Sequence, residues 1–373
     1  MTSIRVLAPT TAFGIGLLKN EIKTHTGENV LISPISVSIA LAMTMNGARG
    51  DTQKEILQGL SLPDYGGLET TNLSYANLLA DLADNAALGV DLQIANAIWA
   101  NQNVTFSPEF LETNRKSFNA QVASADFAAP ATLDAINQWA SDNTKTLIPT
   151  ILDKISSDHI MFLLNAVYFK GQWSVKFDKL LTREADFHAT AGDVKCQLMQ
   201  RRGDMAHLSG TNFQAVKLPF GDSKRINLYV YLPNAGVSVD DFVQRLTEKT
   251  ITNLAKTKWE SEGTIFLPRF KVDYDVELND TLKNLGMNTA FEPNADFSGM
   301  GGGRIKISEV KHKTFAKFDE DGGEAAAITS VGFVAMGAKP MPWTMRCDRP
   351  FVAALYDEHT GSLLFIGVVN APD

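Results

Sequence analysis

Cysteine is nearly absent from this chain of 373 residues, which carries only Cys196 and Cys347. The two lie far apart and without the spacing of metal ligands, so they indicate neither a disulfide framework nor a zinc site. Two free, mostly buried thiols are therefore predicted. The six histidines also show no H-x-x-x-H or H-E-x-x-H pattern. Metal-assisted hydrolysis has no support, and we expect neither a metal site nor a cofactor.

Long apolar runs and a surplus of positive charge are missing as well. No stretch approaches the ~20 apolar residues of a membrane span, so no membrane partner is expected. The net charge is −8, and an acidic surface repels phosphate backbones, which argues against nucleic acid as a partner. Between Ile56 and Asn114 there is no Lys or Arg. A polyanion such as heparin therefore has nothing to bind along that part of the chain.

The N-terminal stretch from Val6 to Leu18 is mildly apolar and follows a single arginine, Arg5. Its apolar residues recur at helical spacing and no small-residue cleavage site follows, so it is predicted to be the first helix of the fold. The apparent lack of a signal peptide, together with the free thiols, favours the cytoplasm. Secretion stays open if a signal peptide has been removed.

What is present is abundant apolar sequence, 45% of all residues, with no Gly-, Ser- or Pro-rich linker. A single domain over 1–373 is therefore favoured. The first half shows mainly helical patterns, including Pro34 to Asn46 with Ser33 as its N-cap, and a helix continuing to Pro149. After Asp158 strand-like segments dominate, ending in a hairpin around "EHTG". Helices first and strands later, without βαβ alternation, predict an α+β fold.

Fragments of catalytic motifs occur, but none is complete. Ser308-x-x-Lys311 resembles the nucleophile motif of penicillin-recognising enzymes, and Ser141-Asp142-Asn143 resembles their second motif. Their order along the chain is reversed, no Lys-Thr-Gly occurs, and Ser308 lies in a strand-like segment. The glycine-rich stretch from Gly299 to Arg304 lacks the spacing of a phosphate-binding loop and is predicted to be a turn. A hydrolase is therefore the weakest functional alternative, and no catalytic residue is assigned.

The segment "FDEDGGEAAAITSVGFVAMGAKPMPWTMRCDRPFV", from Phe318 to Val352, combines strand-like and loop-like features. Its middle is apolar enough for a sheet, yet Gly337, Pro340 and Pro342 follow, which no central strand tolerates. Taken alone, "GGEAAAI" is typical of a helix start or a linker.

Six stretches together resemble the serpins, in the order and at the spacing of that family: "NVLISPISVSIALAMTMNGARGDT", "LLNAVYFKGQW", "LPRFKVDY", "FSGM", "KHKTFAKFDEDGGEAAA" and "RPFVAALYDEHTGSLLFIGVV". The hinge from Phe318 to Ala327 and the terminal hairpin are the most specific. The resemblance implies one domain of three β-sheets and about nine helices. It also implies a long exposed reactive-centre loop, at about 320–346.

The resemblance further implies a suicide inhibitor of serine proteases rather than an enzyme. In that mechanism the protease cleaves the loop and becomes acylated, and the freed loop inserts as a new strand in the largest sheet and traps it. The implied partner is a target serine protease in a covalent acyl complex, and the inhibitor is expected to be a monomer. A non-inhibitory member of the family, acting as carrier, chaperone or storage protein, is the alternative.

The same resemblance assigns the reactive bond. The usual spacing from Glu320 places it at Met336–Gly337, with Val334 and Ala335 as alternatives. Counting back from Pro350 gives Lys339–Pro340 instead, but proline after a scissile bond prevents cleavage by trypsin-like proteases. The apolar bait around Met336 suits elastase-, subtilisin- or chymotrypsin-like enzymes.

Further roles carry over where residues match. The hinge comprises Glu320, Gly322, Gly323, Glu324, Ala325, Ala326 and Ala327. A polar cluster beneath the central strands, the shutter, comprises Ser33, Ser36, Asn165 and His312, and Trp173 matches the tryptophan of the breach, where insertion begins. The helix around Leu68 to Asp84, which carries the basic site in heparin-activated members, has no basic residue, so no heparin site is expected.

The loop is compatible with a strand. Alternate residues of a strand face one side, which here gives Gly323, Ala325, Ala327, Thr329, Val331 and Phe333 as the inward set. None is proline or charged, so entry into a sheet removes no ladder donor and buries no unpaired charge. Gly323 stands where inhibitory members usually carry Thr, Ser or Val, and Ile328 is bulkier than expected. Both are expected to slow insertion without preventing it.

Overall fold

The structure is a computed structural model that describes residues 10–62, 67–84, 89–156, 158–322 and 342–372. Within these ranges the chain forms nine α-helices, one short 3-10 helix and sixteen β-strands. The helices are α1 Thr10–Thr24, α2 Pro34–Met45, α3 Gly50–Gly59, α4 Leu68–Leu82, α5 Pro108–Phe118, α6 Pro130–Asn143, α7 Val239–Arg245, α8 Glu248–Lys256 and α9 Asn279–Asn284, with the 3-10 helix at Thr289–Phe291.

The first eight strands are β1 Val30–Ile32, β2 Val90–Asn101, β3 Thr105–Phe106, β4 Gln121–Ala125, β5 Met161–Gly171, β6 Arg183–Ala189, β7 Gly192–Ser209 and β8 Phe213–Pro219. The others are β9 Ile226–Pro233, β10 Glu260–Pro268, β11 Phe270–Glu277, β12 Gly301–Gly302, β13 Glu309–Phe318, β14 Trp343–Arg346, β15 Phe351–Asp357 and β16 Ser362–Val369. Helices are concentrated in the first half and strands in the second, which confirms the α+β prediction.

Three sheets organise the described strands. The first has five strands in the order β11-β13-β5-β2-β4. The second has nine, in the order β1-β16-β15-β9-β8-β7-β10-β14, with β6 paired to β7. The third joins β12 to β3. The number of sheets and the closing hairpin formed by β15 and β16 were both predicted correctly.

The core lies between the two large sheets and under the helices. All of α2 is buried, because its sequence, PISVSIALAMTM, offers no polar face to solvent. Strand β5 is buried along nearly its whole length, as its unbroken apolar sequence predicts for a strand covered on both faces. A second cluster, which includes Trp139 and Phe162, packs α6 onto the other face of the five-stranded sheet. Strand β5, at the centre of that sheet, is thus covered on both faces.

Three local predictions need correction, and one, the N-cap of α2, is confirmed in position only. Helix α6 ends at Asn143 rather than near Pro149, because Lys145 and Thr146 adopt positive φ angles of 51° and 66°. Ser33 occupies the N-cap position of α2, but its side chain makes no capping hydrogen bond. The glycine-rich stretch includes a short strand, β12, paired with β3. Ser308 precedes β13 rather than lying in a strand, and its hydroxyl accepts a hydrogen bond from the Ile160 amide.

Candidate functional site

The centre of the five-stranded sheet is a parallel pair, β5 and β13. Their register runs from Glu309 opposite Phe162 to Ala316 opposite Phe169. Beyond the end of β13 the chain continues through 319–322, and the next described segment begins β14, which pairs with β10 in the nine-stranded sheet. The intervening segment therefore connects the two large sheets. The candidate site consists of the β5–β13 pair and of the contacts that hold the described residues on either side of the intervening segment.

Halfway along the pair, the predicted shutter residues do meet in one buried cluster. His312 lies directly opposite Asn165, and the two side chains are hydrogen-bonded through His312 Nδ1 and Asn165 Oδ1. The Asn165 amide donates to Ser36 Oγ and, over 2.5 Å, to Asn96 Oδ1 on β2. The cluster thus ties β13, β5 and β2 to the start of α2.

The hydrogen-bond partners fix the charge and tautomer of His312. The Ser33 amide donates to His312 Nε2 over 3.0 Å, so Nε2 must be the unprotonated nitrogen. Nδ1 must then carry the proton that it donates to Asn165. Burial lowers the pKa of His312 to about 3, against a small raising effect of Asp275. The hydroxyl of Ser33 is buried without a hydrogen-bond partner among the described residues, so Ser33 contributes its backbone rather than its side chain.

Acid is expected to weaken the fold through this histidine. Between an unfolded pKa of 6.5 and a folded pKa of about 3, the unfolded chain takes up a proton that the folded one does not. The free energy of unfolding therefore falls as pH falls, by about 2 kcal/mol from this group between about pH 7.5 and 5. Denaturant unfolding of wild type and His312→Gln should show this difference in pH dependence, with the variant less stable at neutral pH.

The exposed His359 provides the matched control. His359→Gln should have the same free energy of unfolding as wild type at neutral pH, unlike His312→Gln. Equal pH dependence in wild type and His312→Gln would contradict the assignment of a neutral, buried imidazole.

At the end of β13, a carboxylate that is almost fully buried holds the chain. Glu320 is 2% exposed and accepts hydrogen bonds from Arg269 Nε at 2.9 Å, from Arg269 Nη2 at 2.6 Å and from the Thr182 hydroxyl at 2.6 Å. Burial by itself would raise the pKa of Glu320, but the bonds from Arg269 and Thr182 bring it below the ordinary value. Glu320 is thus a charged anchor directly before the rest of the predicted hinge.

The chain following β5 binds the same short segment through its backbone. Trp173 donates its amide to the Asp321 carbonyl at 3.0 Å and its indole Nε1 to the Asp319 carbonyl at 2.7 Å. Phe177 donates its amide to the Glu320 carbonyl at 3.0 Å. The Trp173 ring stacks on Phe220, with centroids 4.2 Å apart. These bonds connect the ends of β5 and β13, so separating the two strands from this end breaks them.

Gly322 is confined by the same contacts. It adopts φ +95°, and a Cβ atom there would lie 2.5 Å from the Gly171 carbonyl oxygen and 2.6 Å from the Trp173 nitrogen. No other residue fits this position without moving the end of β5. Lys176, whose Nζ lies 3.0 Å from the carboxylate of Asp321, and Lys179, which also pairs with Asp321, add two ion pairs beside it.

On the far side of the intervening segment, strand β14 is held by an aromatic stack. The Trp343 ring lies 4.2 Å from the ring of His207 and is nearly parallel to it, and Trp343 Nε1 donates to the Ser261 hydroxyl at 3.0 Å. Together with the four-residue pairing to β10, these contacts fix the chain where it re-enters the nine-stranded sheet.

The rest of the predicted loop lies outside the described residues. This applies to the hinge residues Gly323, Glu324, Ala325, Ala326 and Ala327, and to the reactive-bond residues Val334, Ala335, Met336 and Gly337. The predicted sites that are described form two groups about the same strand pair. Ser33, Ser36, Asn165 and His312 lie at its middle, and Trp173, Glu320 and Gly322 lie at its end.

Several residues of these groups were missed from the sequence. Asn96 is a buried asparagine within the apolar stretch "QIANAIWA", and that contrast is a usable signal for a polar cluster. Arg269 and Thr182 carry no such signal, because their link to Glu320 depends on strands that are far apart in sequence.

Other chemistry has little support in the described part of the chain. No group of three or more His, Cys, Asp and Glu side chains there is placed to hold a metal ion, and none of the helices described is long and apolar enough to span a membrane. Cys196 and Cys347 are free and buried, as predicted, and burial raises the pKa of both thiols.

Comparison with known proteins gives a consistent result. A family model described as "Serpin (serine protease inhibitor)" matches residues 8–372. The human leukocyte elastase inhibitor is 31% identical over 378 residues, covering 97% of this chain and 98% of that protein. The native state of the thermophilic serpin tengpin superimposes with a TM-score of 0.89 at 32% identity, covering 100% of this chain and 95% of that one.

A third relative has a different role. Human thyroxine-binding globulin complexed with thyroxine superimposes with a TM-score of 0.88 at 25% identity, and 98% of each chain is covered. Many members of the serpin family inhibit proteases, whereas thyroxine-binding globulin binds a small molecule. The match along nearly the whole length, together with the five-stranded sheet and its clamped central pair, shows that the chain belongs to the serpin family.

Proposed function

We propose that this chain inhibits serine proteases irreversibly, by strand insertion between β5 and β13 after cleavage of its loop. The observation that carries the proposal is the direct parallel pairing of these strands, with a clamped hinge at one end of β13. The loop would leave β13 at Gly322, turn back, and run antiparallel to both neighbours. One parallel ladder would be replaced by two antiparallel ones.

The energetics favour such an exchange. Antiparallel pairing is slightly more stable per residue than parallel pairing. About fifteen inserted residues, each gaining hydrogen bonds worth roughly 0.5–1.5 kcal/mol, give on the order of 10 kcal/mol before side-chain burial is added. This is comparable to the stability of a whole domain, ~5–15 kcal/mol. Insertion can therefore drive the rupture of the shutter and breach contacts described above.

The order of rupture follows from the contacts. Trp173 and Phe177 hold the hinge segment at the end of the pair, and the His312–Asn165 bond joins the strands at the middle. An inserting strand that begins at the hinge would break the first set before the second. The breach and shutter roles assigned to these residues are part of the proposal.

The proposed reactive bond is Met336–Gly337, with Val334 and Ala335 as alternative bait residues. The name of one relative, the leukocyte elastase inhibitor, supports an elastase-like target, in keeping with the apolar bait. We further propose a single-domain, monomeric inhibitor without catalytic activity of its own. The absence of Lys and Arg from α4 supports the absence of a heparin site there.

The test is to mix the protein with pancreatic elastase, subtilisin and chymotrypsin, followed by denaturing electrophoresis and mass spectrometry. A band at the summed mass that resists SDS is the expected result for at least one protease, and the released C-terminal peptide should begin at Gly337. Clean cleavage without such a band for every protease would favour the alternative, a non-inhibitory serpin that acts, for instance, as a carrier.

A hinge variant should convert the inhibitor into a substrate. Ala327 belongs to the inward set, so Ala327→Arg would bury an unpaired charge during insertion. The complex band is expected to disappear while cleavage continues. Ala326→Arg, on the outward face, is the matched control and should retain most of the complex. Loss of the band in both variants, or in neither, would contradict the inward assignment.

A further inference from the structure

A polar cavity of about 270 Å³ lies between β7, β8 and β10, beside the chain that follows Trp173. The β5–β13 mechanism does not use it. Its wall includes the apolar side chains of Val175, Met205 and Pro219, and the buried guanidinium group of Arg201. Its volume is slightly below the ~300–1,000 Å³ typical of ligand pockets, which limits an occupant to a small molecule.

Arg201 is the unusual member of this wall. Arg201 is only 6% exposed, and its Nη1 donates to the Val175 carbonyl at 3.0 Å. Within the described part of the chain, no carboxylate forms an ion pair with it. Burial lowers the pKa of Arg201 to about 10, against a raising effect of Glu260. The guanidinium group of Arg201 thus has five N–H donors and lies buried beside the cavity. Among the described residues it binds one acceptor, the neutral Val175 carbonyl.

Such an arrangement is unfavourable for the protein alone. A buried charge is normally paired, because desolvation costs several kcal/mol that only a counter-charge and hydrogen bonds offset. The nearby cation Lys217 illustrates the usual solution, since its Nζ lies 3.0 Å from a carboxylate oxygen of Glu358. Among the described residues Arg201 has no equivalent partner, so the cavity beside it provides a place for an anion.

The rim of the cavity restricts which anion fits. Three carboxylates line it, those of the exposed residues Asp204, Glu260 and Glu358, together with two lysines, Lys217 and Lys224. Three carboxylates against two lysines leave one net negative charge on the rim, which opposes a second negative charge on the ligand. The planar guanidinium fork matches a carboxylate bidentately. The apolar wall accommodates a short hydrocarbon body. A singly charged carboxylate satisfies all three conditions better than phosphate or sulfate.

We propose that this cavity binds a small monocarboxylic acid, with its carboxylate on Arg201 and its apolar body against Val175, Met205 and Pro219. The site is separate from the reactive loop, and the proposal does not depend on protease inhibition.

The test uses isobutyrate as the probe and isothermal titration calorimetry on the full chain at constant ionic strength. Isobutyrate is expected to bind saturably at one site. Isobutyramide, which has the same shape without the charge, should bind at least about tenfold more weakly, because a charge-assisted hydrogen bond is lost. Equal binding of acid and amide would overturn the proposal, as would stronger binding of inorganic phosphate.

Two variants locate the site. Arg201→Met removes the buried charge and should reduce isobutyrate affinity by the same factor of about ten or more. Arg202→Met is the control, because Arg202 is its exposed neighbour, paired with Glu262 at 2.8 Å. The control should bind as wild type does. Unchanged affinity in a folded Arg201→Met variant would place the ligand elsewhere and overturn the proposal. The comparison of acid with amide on wild type decides the matter if Arg201→Met does not fold.

Discussion

A disulfide between β5 and β13 is expected to abolish protease trapping, and its reduction to restore it. The register places Lys313 directly opposite Ala166, and adjacent strands lie about 4.7–4.9 Å apart, within the ~4.4–6.8 Å between Cα atoms that a disulfide spans. The native thiols are buried and do not compete. Oxidised Ala166→Cys/Lys313→Cys should be cleaved as a substrate and form almost no SDS-resistant complex.

The reason for so large an effect is that insertion, worth on the order of 10 kcal/mol, cannot break a covalent bond between the strands that must separate. The single variants are the controls. Lys313→Cys loses only its 3.1 Å ion pair with Asp275 and should trap protease nearly as wild type does. Undiminished complex formation by the oxidised double variant would mean that the β5–β13 pair does not open.

Among the single substitutions proposed for this protein, Arg269→Met, which removes the cation beside Glu320, is expected to cause the largest loss in the free energy of unfolding. Arg269→Met leaves a carboxylate that is 2% exposed and that has, among the described residues, only Thr182 as a side-chain partner. Breaking a buried ion pair costs about 3–5 kcal/mol, and partial exposure of Arg269 favours the lower end, about 3 kcal/mol. Denaturant unfolding measures the change in the free energy of unfolding.

The matched control is Arg202→Met, which breaks an exposed pair with Glu262 and should cost no more than about 1 kcal/mol. A second variant, Arg269→Met/Glu320→Gln, removes the unpaired charge and should recover most of the stability lost in Arg269→Met. If the double variant is as unstable as Arg269→Met, the loss comes from packing of the arginine stem rather than from the stranded carboxylate.

Elements whose signal is local were predicted well from the sequence. Strand β5 has an apolar run that only a doubly covered strand explains, and the hairpin of β15 and β16 is marked by two apolar runs on either side of "EHTG". The start of α2 is marked by Pro34. The end of α6 was missed, because "TKTL" carries neither glycine nor proline, and left-handed backbone at Lys145 and Thr146 has no sequence signature there.

The site itself was predicted only as far as the family resemblance extends. Resemblance named His312 and Asn165, and their direct pairing follows from the register of two strands about 150 residues apart in sequence, which no local pattern encodes. Arg269 and Arg201 were missed for the same reason. An arginine in a strand, like Arg201, or between two strands, like Arg269, is ordinarily solvent-exposed. Only the tertiary structure shows Arg269 bound to a buried carboxylate and Arg201 beside a cavity.

The account rests on insertion of the cleaved loop between β5 and β13, and thermal unfolding before and after a single cut near Met336 tests this most directly. An inserted strand worth on the order of 10 kcal/mol should raise the unfolding midpoint by more than about 10 °C. The oxidised Ala166→Cys/Lys313→Cys variant, cut at the same bond, should show no such rise. An unchanged or lower midpoint in the cut wild-type protein would contradict the account.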